Sequence, residues 1–363
     1  MAQTEIIGGP HVHAPTGVPR TMAVVLLASL PAAAFGIYLF GWPALNLLVV
    51  TVATALLSEA AGLWLAGKPV APSVLDGSAV LTALLLTMTL PPWAPWWIGV
   101  VGAAFAILIG KQVFGGIGQN LFNPAMLARV ALLISFPLEM TTWAQPHPLF
   151  AAGSPGFLTG LSVTFLGPVH IDGVSSATVL GYVKTAFTQG HTLSQSLSGH
   201  FEPAASLLGN TNGSLGETSA VLILLGGLVL LQQRIITWQI PAAMLGTIAA
   251  LSGLFHTISP ERYADPLFHL SSGGALLGAL FIATDPVTSP SSPRGQMLFG
   301  AGCGVLTWVI RTWGGYPEGV AFAVVLMNAM TPLIDHYLRP RIYGRTRRGA
   351  PRPLPAGKQE PNP

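Results

Sequence analysis

Residues 76–87 read DGSAVLTALLLT, and residues 272–284 read SGGALLGALFIAT. Both stretches are apolar, punctuated by Gly at the start, and closed at or just before a Pro. The apolar segments they open, 76–90 and 271–284, are shorter than the about 20 residues a helix needs to cross a bilayer. Two further landmarks repeat at nearly the same spacing. KQVFGG at 111–116 resembles RTWGG at 311–315, and ARVALLI at 128–134 faces MNAMTPLI at 327–334. Gly77 to Gly273 is 196 positions, Gly115 to Gly314 is 199, and Ile134 to Ile334 is 200. A near-constant offset predicts a duplication.

Outward from these landmarks, the chain divides into about ten apolar segments: 21–40, 44–66, 76–90, 95–114, 119–136, 217–232, 238–256, 271–284, 295–311 and 317–338. The expected architecture is therefore all-α and polytopic, a 5+5 repeat. Five spans per half is odd, so the second half must enter the membrane upside down, which makes the repeat an inverted one. The expected divisions are an N-terminus at 1–20, a first repeat at 21–136, a long external loop at 137–216, a second repeat at 217–338 and a tail at 339–363. Such repeats build their sites near the midplane on short or broken spans, and irregular backbone at that depth must line a cavity.

Composition supports the membrane. Of 363 residues, 51% are hydrophobic and 8% charged, against about 25% charged in soluble domains. One cysteine, Cys303, excludes an internal disulfide and an iron–sulfur cluster ligated by this chain alone, and is expected to be a packing residue. With both termini placed in the cytoplasm, twelve of the sixteen Lys and Arg residues fall inside, seven of them in the tail. Lys184, Arg262 and Arg311 fall outside, and Arg129 lies within a span. This positive-inside bias puts the 137–216 loop on the outer face. The basic tail is expected to lie near anionic lipid, and no nucleic-acid partner is expected. Trp93, Trp96 and Trp97 are expected to form an aromatic belt at one interface.

Three motifs add chemistry. The outer loop contains DGVSSAT at 172–178, the fifth segment opens in GGIGQNLFNPAMLAR at 115–129, and the eighth closes in ATDPVTSP at 283–290. On its own, a Ser/Thr/Gly/Asp cluster is a solvated turn, and Gly-Gln-Asn with Asn-Pro marks a helix start with an Asn cap. Together the three motifs resemble the RnfD/NqrB family, the flavin-carrying membrane subunits of the ion-translocating Rnf and Nqr redox complexes. The short region before the first span favours the RnfD branch.

The resemblance implies a covalent FMN, joined by a phosphoester to Thr178, with Asp172, Ser175, Ser176 and Ala177 completing the attachment motif. Ser176 departs from the Gly often found there, but the acceptor is kept. A Thr hydroxyl is a poor nucleophile without a neighbouring base, so a separate flavin transferase is implied. A second, non-covalent flavin, riboflavin, is expected at Asn120 and Asn123, whose amides suit the alternating acceptors and donor of a flavin's pyrimidine edge, with Asp285 beside them. Arg129 is expected either to neutralise a reduced flavin or to pair with a carboxylate.

Glu59, Asp76 and Asp335 are weaker candidates for an ion path, because ionisable groups at membrane depth are costly and mostly functional. The family further implies the bacterial inner membrane and partner subunits carrying a second covalent flavin and iron–sulfur clusters, with movement of Na⁺ or H⁺. The rival expectation is a urea-type channel or secondary transporter on the same inverted-repeat plan. A channel has no use for the acceptor motif in the outer loop.

Overall fold

A computed structural model describes residues 17–151, 154–167, 178–189, 193, 197, 201–209 and 212–339. Asp172, Ser175, Ser176 and Ala177, with the tail beyond Arg339, lie outside the described residues. The described chain is helical, and it contains no β-strand among those residues. Five helical stretches are long and apolar enough to cross a membrane: Val18–Phe40, Trp42–Leu65, Val70–Thr89, Gln239–Ile258 and Val320–Tyr337.

The first half runs α1 (Val18–Phe40), α2 (Trp42–Leu65), α3 (Val70–Val74), α4 (Ser78–Thr89), α5 (Trp96–Ala104, continuing as a π-helical stretch Phe105–Gln112) and α6 (Pro124–Ser135). Four short helices follow: α7 (Pro137–Thr141), α8 (Phe157–Leu166), α9 (Val179–Thr188) and α10 (Pro203–Leu208). The second half runs α11 (Ala220–Gln232), α12 (Gln239–Ile258), α13 (Pro266–Ser271), α14 (Ala275–Leu277, continuing as π-helix Gly278–Ile282), α15 (Pro293–Trp313) and α16 (Val320–Tyr337).

Local chemistry sets these limits. Pro stands in the first turn of α1, α2, α6, α7, α13 and α15, where its missing N–H costs nothing. Side chains of Asn123, Thr178, Ser219, Asp265 and Ser292 accept from the first-turn N–H groups of α6, α9, α11, α13 and α15.

The two short apolar segments are broken helices. In each, a short helix stops, one glycine turns with positive φ, and a second helix restarts. Gly77 has φ +81° and Gly273 φ +67°, a conformation that other residues adopt only with strain. The packing on either side is alike. α2 packs on α3, α4 and α5, and α5 on α6; α12 packs on α13, on the π-helical end of α14 and on α15, and α15 on α16.

The halves meet along two seams, α1 with α11 and α6 with α16. At the first seam Gly226 faces the Ala28 backbone so closely that an added Cβ would overlap the Ala28 carbonyl oxygen. One core of buried apolar residues spans both halves, from Ala28 and Leu86 to Phe281 and Phe299. Cys303 is buried within it with a free thiol.

Several helices are shorter than the apolar runs that contain them. α6 begins only at Pro124, because Asn123 caps it, and the preceding residues turn instead. The outer-loop region holds an unexpected apolar helix, α8, packed on α2 with Trp42 and Phe157 edge to face at 5.2 Å. The aromatic-belt expectation is corrected for Trp93. It is buried, and its Nε1 donates to the Phe40 carbonyl at 2.9 Å, so it ties α1 to the turn after α4. Trp96 alone of the three is exposed.

Candidate functional site

Asn123 occupies both roles expected of it. Its Oδ1 accepts from the Ala125 and Met126 N–H groups at 3.1 and 3.2 Å, which caps α6. Its Nδ2 donates to Asp285 Oδ2 at 3.5 Å, across 162 residues of sequence. Asp285 Oδ1 accepts from the Val287 N–H at 3.1 Å, and Oδ2 accepts from Thr288 Oγ1 at 3.3 Å. Asn120 is buried and its Nδ2 donates to the Phe122 carbonyl at 3.1 Å.

The three residues line one cleft between the halves, which Ser78, Lys111 and Phe281 also reach. The amides and carboxylate match a flavin's polar edge chemically. The space is about 90 Å³, below the roughly 300–1,000 Å³ of small-molecule sites. A ring therefore enters only if α6 and the turn at 285–287 part.

Lys111 on the π-helical stretch extends a buried charge cluster from this cleft. Its Nζ donates to Glu59 Oε1 at 2.8 Å and to Ser78 Oγ at 2.7 Å. Ser78 Oγ donates to Asp76 Oδ1, which also accepts from the Ser78 N–H at 2.7 Å. Glu59 and Lys111 are 1% and 4% exposed at their side chains, and Glu59 Oε2 has no partner among the described residues. Two of the three ion-path candidates, Glu59 and Asp76, are thus joined through Ser78 and Lys111. Asp335 lies apart, near the surface, accepting from the Ser291 N–H and Oγ at 3.0 and 3.1 Å.

The second half holds a matching cluster that sequence reasoning missed. Arg311 donates to both oxygens of Glu318 at 3.1 and 3.0 Å, to the His269 carbonyl at 2.6 Å and to the Ser272 carbonyl at 3.1 Å. Glu318 also accepts from the N–H groups of Gly274, Gly319 and Val320 at 3.1, 3.0 and 3.2 Å. In sequence Lys111 and Arg311 read as charges at segment ends, yet both are buried in the bundle. The signal was present: they are 200 positions apart, in the KQVFGG and RTWGG landmarks. Arg129 is also buried, its Nη1 without a partner among the described residues, and the opposing charges are Glu217 and Glu318.

Thr178 caps α9. Its Oγ1 accepts from the Gly181 N–H at 3.0 Å, and the residue is half-buried. A phosphate ester here would meet the N-terminus of a helix, which favours anions. Thr178 borders a recess of about 20 Å³ with Glu217, Ser272 and Gly273, too small for a ring. Leu180 lines both this recess and a much larger cleft. Lys184, one turn on, donates to the Tyr316 carbonyl at 2.7 Å and to those of Ile310 and Arg311 at 3.3 Å. Burial draws its pKa below the ordinary lysine value.

Helices without strands, apolar enough to cross a bilayer and enclosing two buried ion pairs, define a polytopic membrane protein with charged groups kept inside its bundle. Comparison with known proteins gives the family. The model of the NQR2, RnfD, RnfE family matches residues 5–344. The chain is 59% identical over 336 residues to the RnfD subunit of the ion-translocating oxidoreductase complex of Stutzerimonas stutzeri, covering 93% of this chain and 95% of that one. It is 56% identical over 348 residues to the corresponding subunit from Halorhodospira halophila, covering 96% and 98%. That from Rhodobacter capsulatus is 49% identical over 304 residues, 84% of each chain. The chain belongs to the NQR2, RnfD, RnfE family.

Proposed function

We propose that this chain is the membrane subunit of a redox-driven, ion-translocating electron-transport complex and carries a covalent FMN on Thr178. What supports the reading is an acceptor hydroxyl held at the open N-terminus of α9, in a chain similar over nearly its whole length to ion-translocating oxidoreductase subunits. The flavin supplies one- and two-electron transfer when bound. The protein's part is to hold the phosphate end at Thr178, to exclude water from the buried clusters and to keep charge balanced inside the membrane. The chain has no activity alone; other subunits, including a second flavin-bearing one and iron–sulfur ones, complete the path, and a flavin transferase loads Thr178. A flavin band that survives denaturation of the purified chain tests this reading, and a chain with no bound flavin overturns it.

The proposed architecture is ten spans in a 5+5 inverted repeat, supported by the alike packing of the two halves and by the paired helix breaks. Both termini then lie in the cytoplasm of a bacterial inner membrane, and residues 137–216 lie outside. A cysteine at Phe150, which is 91% exposed, in a Cys303→Ala background, should react with an impermeant thiol reagent added to intact spheroplasts. Reaction only in inverted vesicles would reverse the orientation.

We place the second, non-covalent flavin at the cleft of Asn120, Asn123 and Asp285, and the ion path through Glu59 and Asp76. Asn123→Ala should cost about 1 kcal/mol for the lost cap and lower the non-covalent flavin content. Asn123→Ser keeps a cap but loses the amide donor. Flavin content falling in both variants supports the site; a fall in Ala alone reduces Asn123 to a helix cap.

A further inference from the structure

The largest enclosed space in the described chain that meets α9 is a cleft of about 620 Å³ beside it. That volume lies in the roughly 300–1,000 Å³ range of small-molecule sites. One wall is α9, through Leu180 and Lys184, and begins two residues beyond Thr178. The opposite wall is the turn from α12 into α13 and the end of α15, with Tyr263, His269, Arg311 and Trp313.

Three features of these walls call for a ligand. The first is an unmet polar group. His269 is 93% buried by its 7% exposure, and its Nδ1 has no partner among the described residues; an unpaired buried nitrogen costs about 1–3 kcal/mol. Thr312 Oγ1, on the same cleft, is likewise buried without a partner among the described residues. The second is charge. Lys184 is held by three carbonyls and no carboxylate in its bonded set, and Arg311 and Arg262 add to it against the single lining carboxylate, Glu261. The third is an aromatic wall. Trp313 meets Trp308 edge to face at 5.0 Å, Trp308 lies 6.4 Å from Tyr263, and Phe255 packs on all three. A flat aromatic ligand with a hydrogen-bonding edge that gains negative charge matches all three. The recess under Thr178 itself, at about 20 Å³, cannot take such a body.

We propose that this cleft houses the ring system of the flavin tethered at Thr178, with His269 and Lys184 meeting its polar edge and Trp313 its face. The proposal rests on the attachment reading above and adds where the ring lies and which residues set its electronics. Lys184 and Arg311 favour the more negative, reduced form by their charge. Trp313 quenches the ring's emission, because an indole in contact donates an electron to the excited flavin.

The test uses the purified, flavin-loaded full chain and the variants Trp313→Leu and Lys184→Met. Trp313 is 53% exposed, so its replacement leaves the core intact. With covalent flavin content equal to the parent's on a denaturing gel, Trp313→Leu should raise the folded protein's flavin emission several-fold. Lys184→Met should make reduction about tenfold less favourable, about 30 mV for a two-electron couple. Emission unchanged in Trp313→Leu and midpoint potential unchanged in Lys184→Met, with flavin still attached, overturn the ring site and leave the attachment reading standing. A parent chain without covalent flavin overturns both.

Discussion

Thr178→Ala removes all the flavin that survives denaturation, while the chain still inserts and stays folded. The hydroxyl is the only group on this residue able to form the phosphoester, so the expected loss is complete. Its structural cost is small by comparison. Thr178 Oγ1 caps α9 through the Gly181 N–H, and losing such a cap costs about 0.5–2 kcal/mol. Thr178→Ser keeps both the cap and an acceptor hydroxyl, so it should retain flavin wherever the transferase tolerates a primary alcohol. In-gel fluorescence and intact mass of the three proteins decide the matter. A fluorescent band persisting in Thr178→Ala moves the tether to another residue.

The second large effect is on stability. Lys111→Met strands the Glu59 carboxylate, which is 1% exposed and has Lys111 as its ion-pair partner. Breaking a buried pair from one side costs about 3–5 kcal/mol, because the remaining charge is left uncompensated. The variant should lose monodispersity on heating in detergent far below the parent's transition. Glu59→Gln combined with Lys111→Met removes both charges and should recover most of the loss, since well-packed neutral replacements of buried pairs are often tolerated. A single variant as stable as the parent would show that Glu59 takes up a proton or cation at no cost. That outcome would strengthen its place in the ion path and end the structural account of Lys111.

Much of this molecule is legible in its residues. The apolar runs, the two Gly-led short segments and the capping Asn of the fifth segment all appear where local pattern puts them, because each depends on neighbours within a few positions. Motif and symmetry pair Asn123 with Asp285, and the structure brings them to 3.5 Å. What escapes the sequence are partnerships over long separations. Lys111 looks like a segment-end charge until Glu59, 52 residues earlier, is seen beside it. Arg311 and Glu318 are near in sequence, yet nothing local says that the broken helix at 271–274 folds its carbonyls onto the guanidinium. Trp93 departs from the expected belt for the same reason: its indole N–H finds the Phe40 carbonyl, 53 residues away. α8 is hidden in the sequence because ten apolar residues fall short of a span, and only α2 gives them somewhere to pack.

The close seam between α1 and α11 bears on how the protein is made. Ala28 and Gly226, which meet there backbone to backbone, are 198 positions apart in the chain. At about 5–20 residues per second of synthesis, α1 waits roughly 10–40 s in the bilayer before its partner leaves the ribosome. During that interval lipid must cover the small-residue face of Ala28, Ala32 and Gly36 that protein later covers. The 23 residues of α1 let it wait as a stable lone span, whereas α11, with 13, is too short to do so. The first helix to be made is thus the one that can stand alone, and the later helix arrives to a partner already in place.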